Sequence, residues 1–241
     1  MQHIVSFSGG KDSTAMLLTM IEKGMQIDRI INVDTTKEFP EMYEHIKKVQ
    51  SMIEPLKIEI VKIDFDYWFG EHVRTKGKFK GVGGGYGWPD MRNRWCTRLK
   101  VVAFRKTVYG KNNVKQIKEA GVTEFHGIAF DEPKRVHNRG DYKHTIIERP
   151  MIEWQMTEAD ALKYCYSKGL DWDGLYEKMA RVSCFCCPLS RISELQTVYK
   201  EYPKLWNQMM EMDKKSFRSF RHNKSLSDLE KRFEKTIDFN F

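Results

Sequence analysis

Apolar positions fall into two alternating patterns along the first half of the chain. Short apolar runs at 3–7, 29–33 and 57–63 are bounded by polar or turn residues and predict buried strands. Between them the spacing becomes helical. Leu17, Leu18 and Ile21 share one face of a helix predicted over 14–23, and Gly24 stands where a terminating glycine would. Pro40 opens a second helix, in which Met42, Ile46, Val49 and Ile53 recur at helical intervals. A further helix is predicted over 97–109 and a fourth strand over 124–130. Strand and helix in strict alternation imply an α/β fold: a Rossmann-like parallel sheet with right-handed crossovers, flanked by helices. Such sheets bind ligands at the carboxyl ends of their strands.

After Pro150 the pattern changes. Thr157 and Asp160 stand as a capping box for a helix through Tyr166, and the remainder reads as short, aromatic-rich and mainly helical. The expected division is a nucleotide-binding domain over 1–150 and a small cysteine-bearing helical region over 151–241. Residues 64–95 contain Gly81, Gly83, Gly84, Gly85 and Gly87, a long irregular segment suited to a lid or a functional loop.

Composition narrows the function. Hydrophobic residues make up 41% of the chain, enough for a packed core. No apolar run approaches the roughly 18 residues of a membrane span. Met1, Gln2 and His3 run into a strand-like segment without a signal-peptide pattern, so the expected location is the cytoplasm, with no membrane partner. The formal charge of +8 and a pI near 9.1 favour a polyanionic partner, the alternative being a basic surface with no specific one.

The strongest chemical signal is the loop Ser8, Gly9, Gly10, Lys11, Asp12 and Ser13, placed between a predicted strand and a predicted helix. Two glycines allow the backbone to turn and aim several N–H groups at one anion. The helix start adds its dipole, and Lys11 and the serine hydroxyls add donors. The Walker A spacing does not fit, because Asp12 follows the lysine. Five cysteines are an odd number for disulfides, and Cys184, Cys186 and Cys187 crowd into one stretch that suits a metal or cluster. Cys96 opens a predicted helix, where the dipole and Arg94, Arg98 and Lys100 favour a thiolate. The thiols suit an iron–sulfur cluster, zinc, or plain buried cysteines. Cys165 sits inside a predicted helix and reads as core. Asp34, at the end of the second strand, is suited either to Mg²⁺ or ribose, or to a cap. His126, His137 and His144 form no metal spacing. Arg218, Arg221, Lys224, Lys231, Arg232 and Lys235, with Phe217 and Phe220 interleaved, suit either a nucleic-acid surface or a solvated face over a core-side aromatic stripe.

The sequence SGGKDS after the first strand resembles the pyrophosphate loop of the adenine nucleotide alpha hydrolases, which include ATP pyrophosphatases, tRNA-thiolating enzymes and phosphoadenosine phosphosulfate (PAPS) reductases. Asp34-Thr35-Thr36-Lys37-Glu38-Phe39-Pro40, Arg94-Trp95-Cys96-Thr97-Arg98-Leu99-Lys100, the stretch from Gly127 to Arg135, Pro150-Met151-Ile152-Glu153-Trp154 and the later C-x-x-C-P extend the likeness to the PAPS reductase-like branch. The resemblance implies that residues 8–13 grip the phosphates of ATP (or PAPS or adenylyl sulfate, APS), with Lys11, Asp12 and Ser13 serving the reaction at the α-phosphate. Gly127 and Arg135 then belong to the nucleotide site. It implies a 4Fe–4S cluster on Cys96, Cys184 and Cys187, with Cys186 as a fourth ligand or one iron left open to carry a sulfide. Trp95 stands where cluster-bearing reductases have a second cysteine, and no cysteine follows Cys187 in this sequence, where those reductases place their nucleophile. The implied activity is therefore adenylation of an RNA or DNA acceptor with pyrophosphate release and iron–sulfur-dependent sulfur transfer, served by a sulfur donor protein. The alternatives are a PAPS or APS reductase using thioredoxin, and a non-enzymatic nucleotide- and nucleic-acid-binding module.

Overall fold

A computed structural model describes residues 1–76, 80–110, 121–136 and 144–238. His137 lies outside them. The chain forms two compact units that interleave along the sequence. The first comprises Met1–Asp34, Pro40–Lys62 and Lys100–Leu175, and the second Thr35–Phe39, Ile63–Leu99 and Tyr176–Phe241. The expected cut at Pro150 falls inside the first unit.

In the first unit the strands β1 (Gln2–Ser6), β2 (Arg29–Asp34), β3 (Ile58–Lys62), β4 (Val122–His126) and β5 (Thr145–Glu148) form one sheet in the order β3-β2-β1-β4-β5. Every pairing is parallel. The order reverses between β1 and β4, and the carboxyl ends at such a switch point leave a crevice for a ligand. Helix α1 (Lys11–Glu22) follows β1, and α2 (Pro40–Met52) follows β2. Ile4, Ile31, Val122, Phe104 and Val108 form a core cluster, the last two from helix α3 (Trp95–Tyr109). On the β2–β3 edge, Arg29 clamps Glu59 with two bonds of 2.7 Å. Helix α4 (Glu158–Ser167) packs on α1 and starts with the expected Thr157–Asp160 capping box.

Three elements differ from the sequence reading. Helix α1 begins at Lys11 rather than Thr14, so Lys11, Asp12 and Ser13 form its first turn. Strand β4 ends at His126, and Phe130, expected inside it, is half exposed in a turn. Strand β5 had no sequence signal of its own. Its four residues alternate buried and exposed, too short a pattern to stand out.

In the second unit, the described residues of 64–95 pack around aromatic rings. Tyr67–Glu71 forms a π-helical turn. Gly85 has φ +62°, and a Cβ there would meet the Phe69 carbonyl oxygen at 2.2 Å, which only glycine avoids. Trp95 is fully buried against Phe65 and donates to the Gly87 carbonyl at 3.0 Å. Trp88 packs edge-on against Phe69 and Phe220 and donates to Asp213 at 2.7 Å. Helices α5 (Ile192–Glu201), α6 (Pro203–Lys215) and α7 (Leu226–Asp238) complete the unit, joined through Tyr199, Trp206 and Phe233. Among the described residues, no helix is long and apolar enough to cross a membrane.

Candidate functional site

The turn after β1 is held by its own hydroxyls. The Ser8 N–H donates to Ser13 Oγ at 3.1 Å, the two serine oxygens lie 2.9 Å apart, and Ser13 Oγ donates to the Gly10 carbonyl at 3.1 Å. Gly9 has φ +79°, and a Cβ there would come within 2.9 Å of Met42 Sδ and 3.0 Å of Ile46 Cγ1. Gly10 is the N-cap of α1 and supplies no side-chain cap. The N–H groups of Asp12 and Ser13 have no acceptor within the helix, and the positive end of the helix dipole adds to them. A helix start left in this state at a sheet switch point is suited to an anion. Gly127, just past β4, closes against the same turn. A Cβ at this position would stand 2.9 Å from both Ser13 Cα and Ser13 N, so glycine is required by backbone proximity.

Beneath the loop lies a support that the sequence did not reveal. Trp172 Nε1 donates to the Gly9 carbonyl at 3.0 Å, and its ring stacks on His45 at 4.0 Å. His45 Nε2 lies 3.0 Å from Thr14 Oγ1, which is 3.5 Å from the same Gly9 carbonyl. Burial, then the charge of Lys48, lowers the His45 pKa to about 3, so the ring is neutral near pH 7. His45 Nδ1 has no partner. Placing the proton on Nε2 leaves only a buried acceptor unsatisfied and lets Thr14 pass its own proton to Gly9; the tautomer is assigned from this network.

The charged groups of the loop are crowded. Lys11 is 9% exposed and its Nζ donates to Glu158 Oε1 at 2.6 Å and Asp12 Oδ1 at 3.0 Å. Burial alone would lower its pKa, but the bond to Glu158 and the charge of Asp12 outweigh burial and raise it. Asp12 is pushed up, chiefly by burial against the opposing pull of Lys11, with Glu158 and Glu132 adding to the rise. Carboxylate oxygens of Asp12, Glu132 and Glu158 lie within 4.8 Å of one another. Among the described residues this is the one group of three or more such side chains with metal-binding spacing, and Asp34 is outside it. Asp34 is buried at the end of β2 and accepts from Tyr43 Oη at 3.0 Å. Arg135 is more than half exposed and pairs with Glu132. Cys165 is fully buried, 3.6 Å from the Lys11 carbonyl, and burial followed by the Asp12 charge pushes its pKa up to about 12.

In the second unit, Cys184 and Cys187 occupy a turn closed by the Cys187 N–H on the Cys184 carbonyl at 3.1 Å. The Phe185 N–H donates to the Lys37 carbonyl at 3.0 Å, tying that turn to residues 35–39. Cys184 Sγ lies 3.5 Å from Thr35 Oγ1 and donates to Glu38 Oε1 at 3.4 Å. Cys96 is the second residue of α3, so the expected helix start is present. Cys186 is buried and its thiol pKa is pushed well up, by burial first, then by Cys184, with Cys187 and Cys96 adding and Lys37 opposing. The four cysteines therefore share one electrostatic neighbourhood. Lys37, to which the sequence reading gave no role, is a cation within it. Its side chain is 3% exposed and its ammonium is paired with Asp66 at 2.9 Å.

A parallel α/β sheet carrying an uncapped phosphate-type loop at its switch point defines a nucleotide-binding protein of the pyrophosphate-loop class. Residues 2–191 match the phosphoadenosine phosphosulfate reductase domain family, and the chain belongs to it, within the adenine nucleotide alpha hydrolases. Two uncharacterized proteins of Methanocaldococcus jannaschii are similar. One is 28% identical over 84% of this chain and 39% of its own length, the other 25% identical over 87% and 47%. An uncharacterized nin region protein of Escherichia phage lambda is 30% identical over 56% of this chain and 51% of its own. The chain thus spans about half or less of the curated relatives it matches. Among solved structures, the U34-tRNA thiolase NcsA from Methanococcus maripaludis with its 4Fe–4S cluster aligns at a TM-score of 0.38 and 12% identity, covering 89% of this chain and 71% of that one.

Proposed function

We propose that this chain is a nucleotide-dependent sulfur-transfer enzyme. It binds ATP or a related adenine nucleotide on residues 8–13 and adenylates an acceptor with release of pyrophosphate. The observation that carries this reading is the uncapped start of α1, held open by Gly9 and Gly127 at the switch point of the sheet. An acceptor oxygen attacks the α-phosphorus, the bond to the bridging oxygen breaks, and the electron pair leaves with pyrophosphate. Lys11 and the loop N–H groups face the charge that develops there. Asp12, Glu132 and Glu158 would hold Mg²⁺ against the phosphates.

Cys96, Cys184 and Cys187, with Cys186 beside them, would hold a 4Fe–4S cluster, which when bound supplies the site for sulfur. Zinc on the same thiols is the alternative occupant. Lys37 would offset the negative charge of the clustered thiolates. A sulfonucleotide reductase is the second reading, favoured by the family match. It needs an accessible thiolate nucleophile, and the two cysteines outside the proposed ligand core, Cys165 and Cys186, are both buried.

Anaerobic purification of wild type and Cys184→Ala, with iron and sulfide assays and visible and EPR spectra, tests the cluster. About four irons per chain, lost in the variant, are expected. One zinc, or no metal in wild type, overturns it. Pyrophosphate release from ATP, absent in Ser13→Ala, tests the nucleotide half separately.

A further inference from the structure

The second unit contains an open cavity of about 860 Å³ lined by residues 88–92, 188–190 and 218–223. This volume lies within the range of roughly 300–1,000 Å³ that holds ligands of nucleotide size. Its charged lining is Arg92, Arg218 and Arg221 against Asp90 alone, with His222 beside them. Asp90 is already paired with Arg218 at 2.8 Å, which leaves the cationic side in excess. Arg221 is half-buried. One of its N–H groups bonds the Ser190 carbonyl, while its Nε is buried without a partner.

Flat apolar surface adjoins this charge. Met91, in the lining, is 70% exposed. Phe217, next to Arg218 in the chain, is 58% exposed, and its ring is flanked by the guanidiniums of Arg74 at 4.9 Å and Arg218 at 5.6 Å. Exposed rings beside guanidiniums are the elements by which single-stranded nucleic acids are bound: bases stack, and phosphates are neutralised. An acidic peptide would use the charge but not the ring. The cavity is also continuous with the cysteine segment. Pro188 follows Cys187 directly, and Arg221 feels the charge of Cys187.

We infer that this cavity holds a segment of single-stranded nucleic acid, with a phosphate on Arg92 and Arg221 and a base against Phe217 and Met91, beside the cysteines. As the acceptor site it rests on the sulfur-transfer reading; as a nucleic-acid site it does not. The sequence had split the basic C-terminal residues between a nucleic-acid surface and a solvated face. The structure divides them, with Phe220 buried in the core and Phe217 left on the surface.

The test is fluorescence anisotropy of labelled single-stranded RNA and DNA of about a dozen nucleotides, titrated across salt with the full chain. Arg221→Gln and Arg92→Gln are each expected to lower the salt slope by about 1 and weaken binding to both bases and sequences alike. Phe217→Ala is expected to weaken binding at least about fivefold with the slope retained. Arg92 and Phe217 are exposed, so those two variants keep the test valid if Arg221→Gln fails to fold. Whichever of RNA and DNA binds tighter identifies the acceptor class. Wild-type affinity and slope in Arg92→Gln and Phe217→Ala, or displacement by polyglutamate as effective as by nucleic acid, overturns the inference. Ser13→Ala separates the two readings, since it removes pyrophosphate release and leaves oligonucleotide binding intact. Loss of binding in the cavity variants of a protein without iron would retain the cavity and reject sulfur transfer.

Discussion

Around Gly9 the neighbours are backbone, a stacked ring pair and the side chains of α2. Around Cys184 they are a hydroxyl, a carboxyl and other thiols. The phosphate loop is held in shape by groups that cannot yield. Trp172 anchors the Gly9 carbonyl, the serine hydroxyls bond within the turn, and Gly127 lies against Ser13 with no room for a methyl. The cysteine turn is closed by the Cys187 N–H on the Cys184 carbonyl and tied to Lys37, and the Cys184 sulfur lies 3.5 Å from Thr35 Oγ1 and 3.4 Å from Glu38 Oε1. An anion site built from N–H groups must be organised before its ligand arrives, because its donors are fixed to the backbone. A thiolate site gains much of its order from the metal it binds. On this comparison, damage near the loop is expressed in the protein without ligand, and damage at the cysteines only when metal is present.

The largest expected effect is pH-dependent. His45 is buried with a pKa lowered to about 3, against an unfolded value near 6.5. Between these values the unfolded chain binds a proton that the folded chain does not, so stability falls as pH falls. The slope approaches about 1.4 kcal/mol per pH unit only well below pH 6.5, which gives about 2.3 kcal/mol between pH 6.5 and 4.5. Urea unfolding across that window should show a shallower loss in His45→Phe, which keeps a ring on Trp172 and cannot titrate. Equal slopes in the two proteins would show that the loop support is not the acid-sensitive part.

A smaller loss is expected for Gly127→Ala. The added methyl meets the Ser13 backbone, which cannot move aside as a side chain would, at a cost of about 2 kcal/mol. Nucleotide binding, measured by calorimetry, should be lost with it. Retained binding would mean that the loop is not preorganised by Gly127. Least of all, Cys184→Ala should change the unfolding free energy of metal-free protein by under about 0.5 kcal/mol, since the side chain is half-buried and the change removes a single sulfur. A larger loss there would erase the contrast between the two regions.

The parallel sheet and its loop were legible because each rests on local chemistry. Short apolar runs, helical spacing and two adjacent glycines need no distant partner to be read. The Thr157–Asp160 capping box was legible for the same reason. Residues 64–95 read as irregular because glycines signal turns, while the packing of Phe65 with Trp95 and of Phe69 with Trp88 joins residues far apart in sequence. Trp172 and His45 carried no signal, since a tryptophan 163 residues from Gly9 reads as ordinary core until its N–H is seen on the loop. Lys37 stood within the family-like segment 34–40, but lysine is seldom buried, and only its place beside the thiols and Asp66 gives it a role.

By itself the sequence determined the alternation of strand and helix, the phosphate loop between β1 and α1, and the crowding of thiols near Cys184. Each is a property of neighbours in the chain, where periodicity, glycine freedom and residue spacing act directly. The tertiary structure alone decided that β1 and β4 meet at the switch point, that Gly127 closes on Ser13, and that Arg92 and Arg221 line one cavity. These depend on which distant segments pack together, and packing is decided by the burial of the whole core rather than by any local pattern.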